Sequence, residues 1–251
     1  MTAELAGRRV LITGGATGIG AAASHALLDA GAAIAVVQRT QSELASALES
    51  TGLAGRVAGL SADLGVPGEP ERAVRWATRT LGGLDGFVAN AAVTGPPAHR
   101  TLLDIDHEYV DRMLAVNLRA PITATAEAAR HFAAHGGGTV VLVSSVLAHA
   151  PAPAASVYSA TKAGLIAFAR GAALELGALG VRVVTVSPGD IATPSSVAPD
   201  APDGRRAVRE PAVGRRGEPA EIGSAVRFLL GPGGSYVTGT DLLVDGGFLL
   251  S

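Results

Sequence analysis

The feature that most restricts the fold is a regular alternation of short β-branched runs with longer Ala-rich stretches, sustained along the chain. Strand-like runs occur at 9–13, 33–38, 56–60, 86–89, 139–144, 182–187 and 241–244, and helix-like stretches near 18–30, 40–50, 68–81, 107–134, 156–178 and 218–230. Most strand runs are continuously apolar, the pattern of strands covered on both faces. Repeated βα alternation then implies a parallel sheet with helices on both sides and right-handed crossovers. The expectation is an α/β fold: a single doubly wound domain over residues 1–251 with about seven parallel strands. One such domain can account for 251 residues. Apolar residues are 48% of the chain and aromatics only 4%, so the core must be built mainly from Ala, Val, Leu and Ile.

Composition also removes several functions. A formal net charge of -2 offers no basic excess for nucleic acid. The absence of cysteine excludes disulfides, Cys-ligated zinc, iron–sulfur clusters and a thiol nucleophile. No apolar targeting segment precedes the first strand, and no uninterrupted run of 18 apolar residues occurs, so a cytoplasmic protein is expected. The one break in composition, 192–219, is rich in Pro, Gly and Arg. Following the sixth strand, it reads as a substrate lid, since ligands of such sheets bind beyond the strands' carboxyl ends.

The first strand runs through Thr13-Gly14-Gly15-Ala16-Thr17-Gly18-Ile19-Gly20 into an Ala-rich helix. Glycines allow a sharp turn and close backbone approach to a pyrophosphate, and the helix N-terminus adds free N–H donors and a favourable dipole. The spacing is Gly-x-x-x-Gly-x-Gly. At the end of the second strand, where a carboxylate would select NAD, stand Gln38 and Arg39. A planar guanidinium suits a 2′-phosphate, so NADP(H) is favoured and NAD(H) remains open. The plainer reading makes Arg39 a solvated residue after a strand.

Tyr158-Ser-Ala-Thr-Lys162 places a phenol and an ammonium at i, i+4 on one helix face. Bringing a phenol from its usual value of about 10 to near neutrality asks for ~4 kcal/mol of differential interaction, which a neighbouring cation can supply. Of the 20 basic residues, Lys162 is the only lysine. A chain that otherwise uses Arg thus keeps its one ammonium four residues after a tyrosine.

With these motifs in order, the whole chain resembles the short-chain dehydrogenase/reductase family, in its subgroup of about this length. The resemblance implies a Rossmann-type fold, a nicotinamide cofactor and a cofactor turn at Gly14, Thr17, Gly18, Ile19 and Gly20. It places Asp63 and Leu64 near the adenine, and makes Asn90-Ala91 part of an Asn-Asn-Ala-Gly motif in which Ala89 and Ala92 replace the first Asn and the Gly. Pro188, Gly189, Ile191 and Thr193 look like the segment that meets the carboxamide. Asn117, Ser145, Tyr158 and Lys162 resemble the catalytic tetrad, Ser145 being preferred to Ser144 because it lies 13 residues before Tyr158. The implied chemistry is hydride transfer to a carbonyl carbon. Tyr158 would donate the proton, Ser145 bond the oxygen, Lys162 hold the ribose and lower the Tyr158 pKa, and Asn117 hold a water that refills the proton.

Other constellations have plainer readings. His131 and His135 stand at a zinc-compatible spacing but lack a His-Glu-x-x-His pattern, and read as helix-end histidines. Asp104, Asp106, Glu108 and Asp111 read as a helix start with Asp106 as N-cap. No Gly-x-Ser-x-Gly elbow supports a serine hydrolase. Arg205, Arg206, Arg209, Arg215 and Arg216 crowd the lid and would suit an anionic acyl carrier, although solvated loop charges are the simpler account. Leu165, Ile166, Phe168, Leu174 and Leu176 suggest a helix apolar all round and, with Phe248-Leu249-Leu250, a homo-oligomeric interface of dimer or tetramer. The expected function is an oxidoreductase acting on the carbonyl/alcohol pair of a small, mostly apolar substrate. The alternatives are a 3-oxoacyl carrier-protein reductase and a non-catalytic nucleotide-binding relative.

Overall fold

A computed structural model describes residues 3–194, 196 and 210–250. Seven strands, β1 (Arg9–Thr13), β2 (Ala33–Gln38), β3 (Ala58–Ser61), β4 (Gly86–Ala89), β5 (Gly138–Val143), β6 (Val181–Pro188) and β7 (Asp241–Val244), form one sheet in the order β3-β2-β1-β4-β5-β6-β7. Every pairing is parallel. The order reverses between β1 and β4, which creates the crevice where such sheets bind ligands.

Among the described residues, seven α-helices accompany the sheet: α1 (Gly18–Asp29), α2 (Gln41–Ser50), α3 (Glu69–Leu81), α4 (His107–Leu114), α5 (Ala120–Ala134), α6 (Ser156–Leu176) and α7 (Pro219–Leu230). Successive strand residues point to opposite faces. Leu11 on β1 joins Val140 and Leu142 on β5 in one core, while Val10 and Ile12 join Val141 and Val143 in the other. The continuous apolar runs follow directly from this two-sided burial. As expected from the composition, both cores are made mainly of Ala, Val, Leu and Ile. Among the described residues, no helix is long and apolar enough to cross a membrane.

Two features differ from the sequence expectation. The third strand begins two residues later than expected, at Ala58, and is only partly buried because it lies at the sheet edge. The stretch 107–134 is divided: a π-helical turn at Ala115–Arg119 separates α4 from α5, with the Ala120 N–H donating to the Ala115 carbonyl. Pro121 gives the physical reason. It has no N–H to offer the Asn117 carbonyl, its partner in α-helical register.

Candidate active site

The phosphate-binding turn is shaped by contacts that only glycine permits. The chain leaves β1 through Gly14 at φ +64° and enters α1 through Gly18 at φ +48°. A Cβ at Gly20 would lie 2.0 Å from the Gly14 carbonyl oxygen, so α1 packs against the turn only because Gly20 has no side chain. Thr17 precedes α1 as N-cap, but its side chain makes no capping bond. The first N–H groups of the helix therefore receive no acceptor from it. Asn90, at the end of β4, donates from Nδ2 to the Thr13 and Gly14 carbonyls at 3.1 Å each. The Thr13 hydroxyl in turn accepts the N–H groups of Asn90 and Ala91. The partial motif thus still ties β4 to the turn, even with alanines at 89 and 92.

Gln38, Arg39, Asp63 and Leu64 line the same cleft beyond β2 and β3. Arg39 Nη2 donates to Glu43 Oε1 at 2.5 Å, which holds the Glu43 carboxyl below its ordinary value. Burial pushes the Asp63 carboxyl up. The Gly65 N–H, the Arg112 guanidinium and the field of Arg39 outweigh it and hold Asp63 below its usual value. Arg112 Nη1 reaches both Asp63 oxygens, at 2.9 and 3.0 Å. Gln38 Nε2 is buried without a hydrogen-bond partner.

The reacting groups lie where β5 and α6 meet. The Ser144 hydroxyl is buried and donates to the Lys162 carbonyl, so it serves the fold. The Ser145 hydroxyl instead accepts the Leu147 N–H at 3.1 Å and lies close enough to the Tyr158 phenol to pull its pKa down. Residue Ser145, as the spacing favours, therefore faces the phenol. Lys162 is buried, its Nζ donates to the Val143 carbonyl at 2.8 Å, and it lies 5.6 Å from the Tyr158 ring centre. Burial lowers the Lys162 ammonium to about 8. Burial also pushes the phenol above its usual value, against the lowering effect of hydrogen bonds from Thr94 and Ser145. Desolvation thus sets the direction of the phenol's shift here, and the hydroxyls provide the opposing pull.

Thr94 was not singled out by any sequence motif. It follows the Asn90-Ala91 segment after β4, and only the spatial neighbourhood of Tyr158 reveals it. Asn117 and Gly20 do not line the cleft. The Asn117 side chain is committed to Val93: its Oδ1 accepts the Val93 N–H at 2.8 Å and its Nδ2 donates to the Val93 carbonyl at 3.0 Å. A water held by that side chain is therefore replaced, as an expectation, by one held at the backbone.

Pro188, Gly189, Ile191 and Thr193 also line the cleft. Gly189 has no room for a Cβ, which would fall 2.7 Å from Asp245 Cα. Thr193 faces the phosphate turn, since a Cβ on Gly18 would meet its Cγ2 at 3.5 Å. The roots of the 192–219 segment are joined by a bridge between Ile191 and Gly217. Arg216 donates to Asp190 and the Ile191 carbonyl, and Arg215 to both oxygens of Glu221. These two arginines fasten the base of the segment. Arg205, Arg206 and Arg209 lie outside the described residues.

The remaining constellations resolve structurally. His131 Nε2 accepts the Leu84 N–H at 3.1 Å, and its ring stacks on His135 with centres 4.1 Å apart. Asp106 caps α4 by accepting the Tyr109 N–H. On α6, Leu165 and Ile166 are buried, but Ala160, Ala163, Ala167, Gly171 and Leu174 form an exposed face. Leu174 is 87% exposed, so α6 has one covered face and one bare face of small and apolar residues edged by Arg170 and Glu175.

A nicotinamide dinucleotide fits these residues. Three observations point to it: a turn in which Gly14, Gly15 and Gly20 leave no room for a Cβ, a helix N-terminus without a capping side chain, and the orphaned Gln38 amide. All three lie along one cleft of about 1740 Å³, larger than a single small-molecule pocket of roughly 300–1,000 Å³.

Comparison with known proteins agrees. The model of a family described as enoyl-(acyl carrier protein) reductase matches residues 14–249. The chain is 34% identical over 244 residues to dehydrogenase/reductase SDR family member 4 of Bos taurus, covering 95% of this chain and 86% of that protein. It is also 34% identical to cis-4-hydroxycyclohexanecarboxylate dehydrogenase of Sinomonas cyclohexanicum, covering 99% of both. Among solved structures, a short-chain dehydrogenase from Burkholderia cenocepacia in complex with NADP superposes with a TM-score of 0.88. It is 33% identical, with 98% of this chain and 99% of that chain covered.

Proposed function

The chain belongs to the short-chain dehydrogenase/reductase family, and from that premise we propose that it moves hydride between NADP(H) and the carbonyl/secondary-alcohol pair of a small, mostly apolar substrate. The observation that carries this reading is the convergence of the Tyr158, Ser145 and Thr94 hydroxyls beside the buried Lys162 ammonium on one cleft wall.

When bound, the dinucleotide supplies or accepts the hydride. Thr17, Gly18 and Ile19 would offer backbone N–H groups to its pyrophosphate; Gly14, whose N–H is given to the Val37 carbonyl, supplies the turn, and Gly20 lets α1 approach. Arg39 would meet a 2′-phosphate and Asp63 and Leu64 would flank the adenine, while Asn90 with Ala91 holds the turn in shape. Pro188, Gly189, Ile191 and Thr193 close on the carboxamide side. An ammonium has three N–H groups. Lys162 gives one to Val143, leaving two for ribose hydroxyls.

Ser145 donates a hydrogen bond to the substrate oxygen, and Thr94 adds a second hydroxyl there. That stabilisation grows as the oxygen gains charge. Tyr158 donates its proton to the same oxygen in reduction and removes it in oxidation. Burial keeps the phenol protonated at neutral pH, which suits the reductive direction. The Asn117 backbone carbonyl, which Pro121 leaves without an α-register partner, would hold the water that reconnects Lys162 to solvent.

The 3-oxoacyl carrier-protein alternative rested on the lid arginines, and the two described ones are engaged with Glu221 and Asp190. The non-catalytic alternative is disfavoured because a pure binder needs no proton relay. We also read the bare apolar face of α6 as a contact between copies of this chain, giving a homo-oligomer.

The test is NADPH oxidation with a panel of ketones, quinones and 3-oxoacyl thioesters, run on wild type and Tyr158→Phe. Turnover of a ketone by wild type is expected, with kcat reduced about 10²–10⁴-fold in the variant and NADPH affinity retained. A fully active variant refutes the mechanism.

A further inference from the structure

Arg39 does not stand free at the adenosine end of the cleft. Its Nη2 donates to Glu43 Oε1 at 2.5 Å, and both side chains line the cleft. Glu43 is fixed in place by a second task. It is the N3 residue of α2, its Oε2 accepts the Thr40 N–H at 3.2 Å, and its own N–H donates to the Thr40 hydroxyl. This capping box holds the carboxylate at the helix start, beside the guanidinium that a 2′-phosphate would approach. The other nearby carboxylate is differently engaged: Asp63 is gripped by Arg112 and the Gly65 N–H. Glu43 is therefore the anion in contact with Arg39.

We infer that Glu43 is a specificity-determining residue that restrains the preference for NADP(H) by competing with the 2′-phosphate for Arg39. The inference rests on the reading of Arg39 as the 2′-phosphate partner. Its physical basis is a balance of modest terms. The Arg39 and Glu43 side chains are 60% and 42% exposed, so their pairing is weak enough for a phosphate to displace. A phosphate carries about -1.5 to -2 charges, however, and a carboxylate held beside it opposes binding. NAD(H) has no group at that position and does not meet the conflict. The chain thereby accepts both cofactors with a narrower margin than a free arginine would give.

Glu43→Gln tests this with little risk to the fold, because Gln also completes a capping box. Calorimetric dissociation constants for 2′,5′-ADP and 5′-AMP would be measured for wild type, Glu43→Gln, Arg39→Ala and the double variant. Glu43→Gln is expected to tighten 2′,5′-ADP roughly three- to tenfold relative to 5′-AMP, the size set by one exposed ion pair plus one screened repulsion. Arg39→Ala is expected to weaken 2′,5′-ADP selectively, and in its background the gain from Glu43→Gln disappears. Loss in Arg39→Ala without selective gain in Glu43→Gln overturns the inference and leaves the Arg39 reading standing. No selective loss in Arg39→Ala overturns that reading and the inference with it. A gain that persists without Arg39 shows direct repulsion by Glu43 and overturns competition through the guanidinium.

Discussion

At the scale of residues, Lys162 combines a functional requirement with a stability cost. Burial lowers its folded-state value to about 8, below its unfolded value near 10.4. Between those limits the unfolded chain binds more protons, so this residue makes stability rise with pH from about 8 to about 10. Below pH 8 the full cost is present, on the order of 3 kcal/mol before the Val143 hydrogen bond offsets part of it. Lys162→Met should therefore melt higher than wild type at pH 7 while losing turnover. That advantage should shrink as pH approaches 10, and a gap independent of pH in parallel thermal melts would contradict the assignment. The pairing of Tyr158 with Lys162 was legible from i, i+4 spacing alone. The direction of the phenol's shift was not, because desolvation is set by everything packed around the group, and Thr94 comes from another element altogether.

At the scale of elements, the site depends on how β1, β4 and α1 are joined. Asn90 supplies two hydrogen bonds to carbonyls of the turn, and Asn90→Ala leaves both without that donor. A loss of about 1–3 kcal/mol is expected. It should appear as a lower melting temperature together with weaker cofactor binding, whereas a fall in stability alone would show that the turn keeps its shape without Asn90. The extents of α1, α2 and α3 were readable from Ala-rich, periodic sequence and capping residues. The division of 107–134 was less so. Pro121 is visible in the sequence, but its effect is a π turn at Ala115–Arg119 between α4 and α5, within which the Asn117 side chain bonds to Val93. The edge strand β3 was displaced for a related reason: partial burial leaves a weaker apolar signal to mark its ends.

At the scale of the whole molecule, α6 links the site to the outer surface. Its inner face carries Lys162, Leu165 and Ala169, and its outer face is bare Ala, Gly and Leu edged by Arg170 and Glu175. Ala167→Arg places a charge in the middle of that outer face. Wild type is expected to sediment as an oligomer at micromolar concentration and this variant as a smaller species; a wild-type monomer would remove the interface reading. The alternation of apolar runs determined the parallel, two-sided sheet, since β-strands buried on both faces need continuous hydrophobic sequence. The glycine turn, Arg39 and the Tyr158–Lys162 pair were likewise present as local chemistry at fixed spacing. Tertiary structure alone decided how those parts act: that Arg39 is held by Glu43, that Thr94 lies by the phenol, and that burial pushes the Tyr158 phenol up. Spacing along a chain specifies which groups are near one another locally. Desolvation and competition for partners depend on what the rest of the fold brings alongside them.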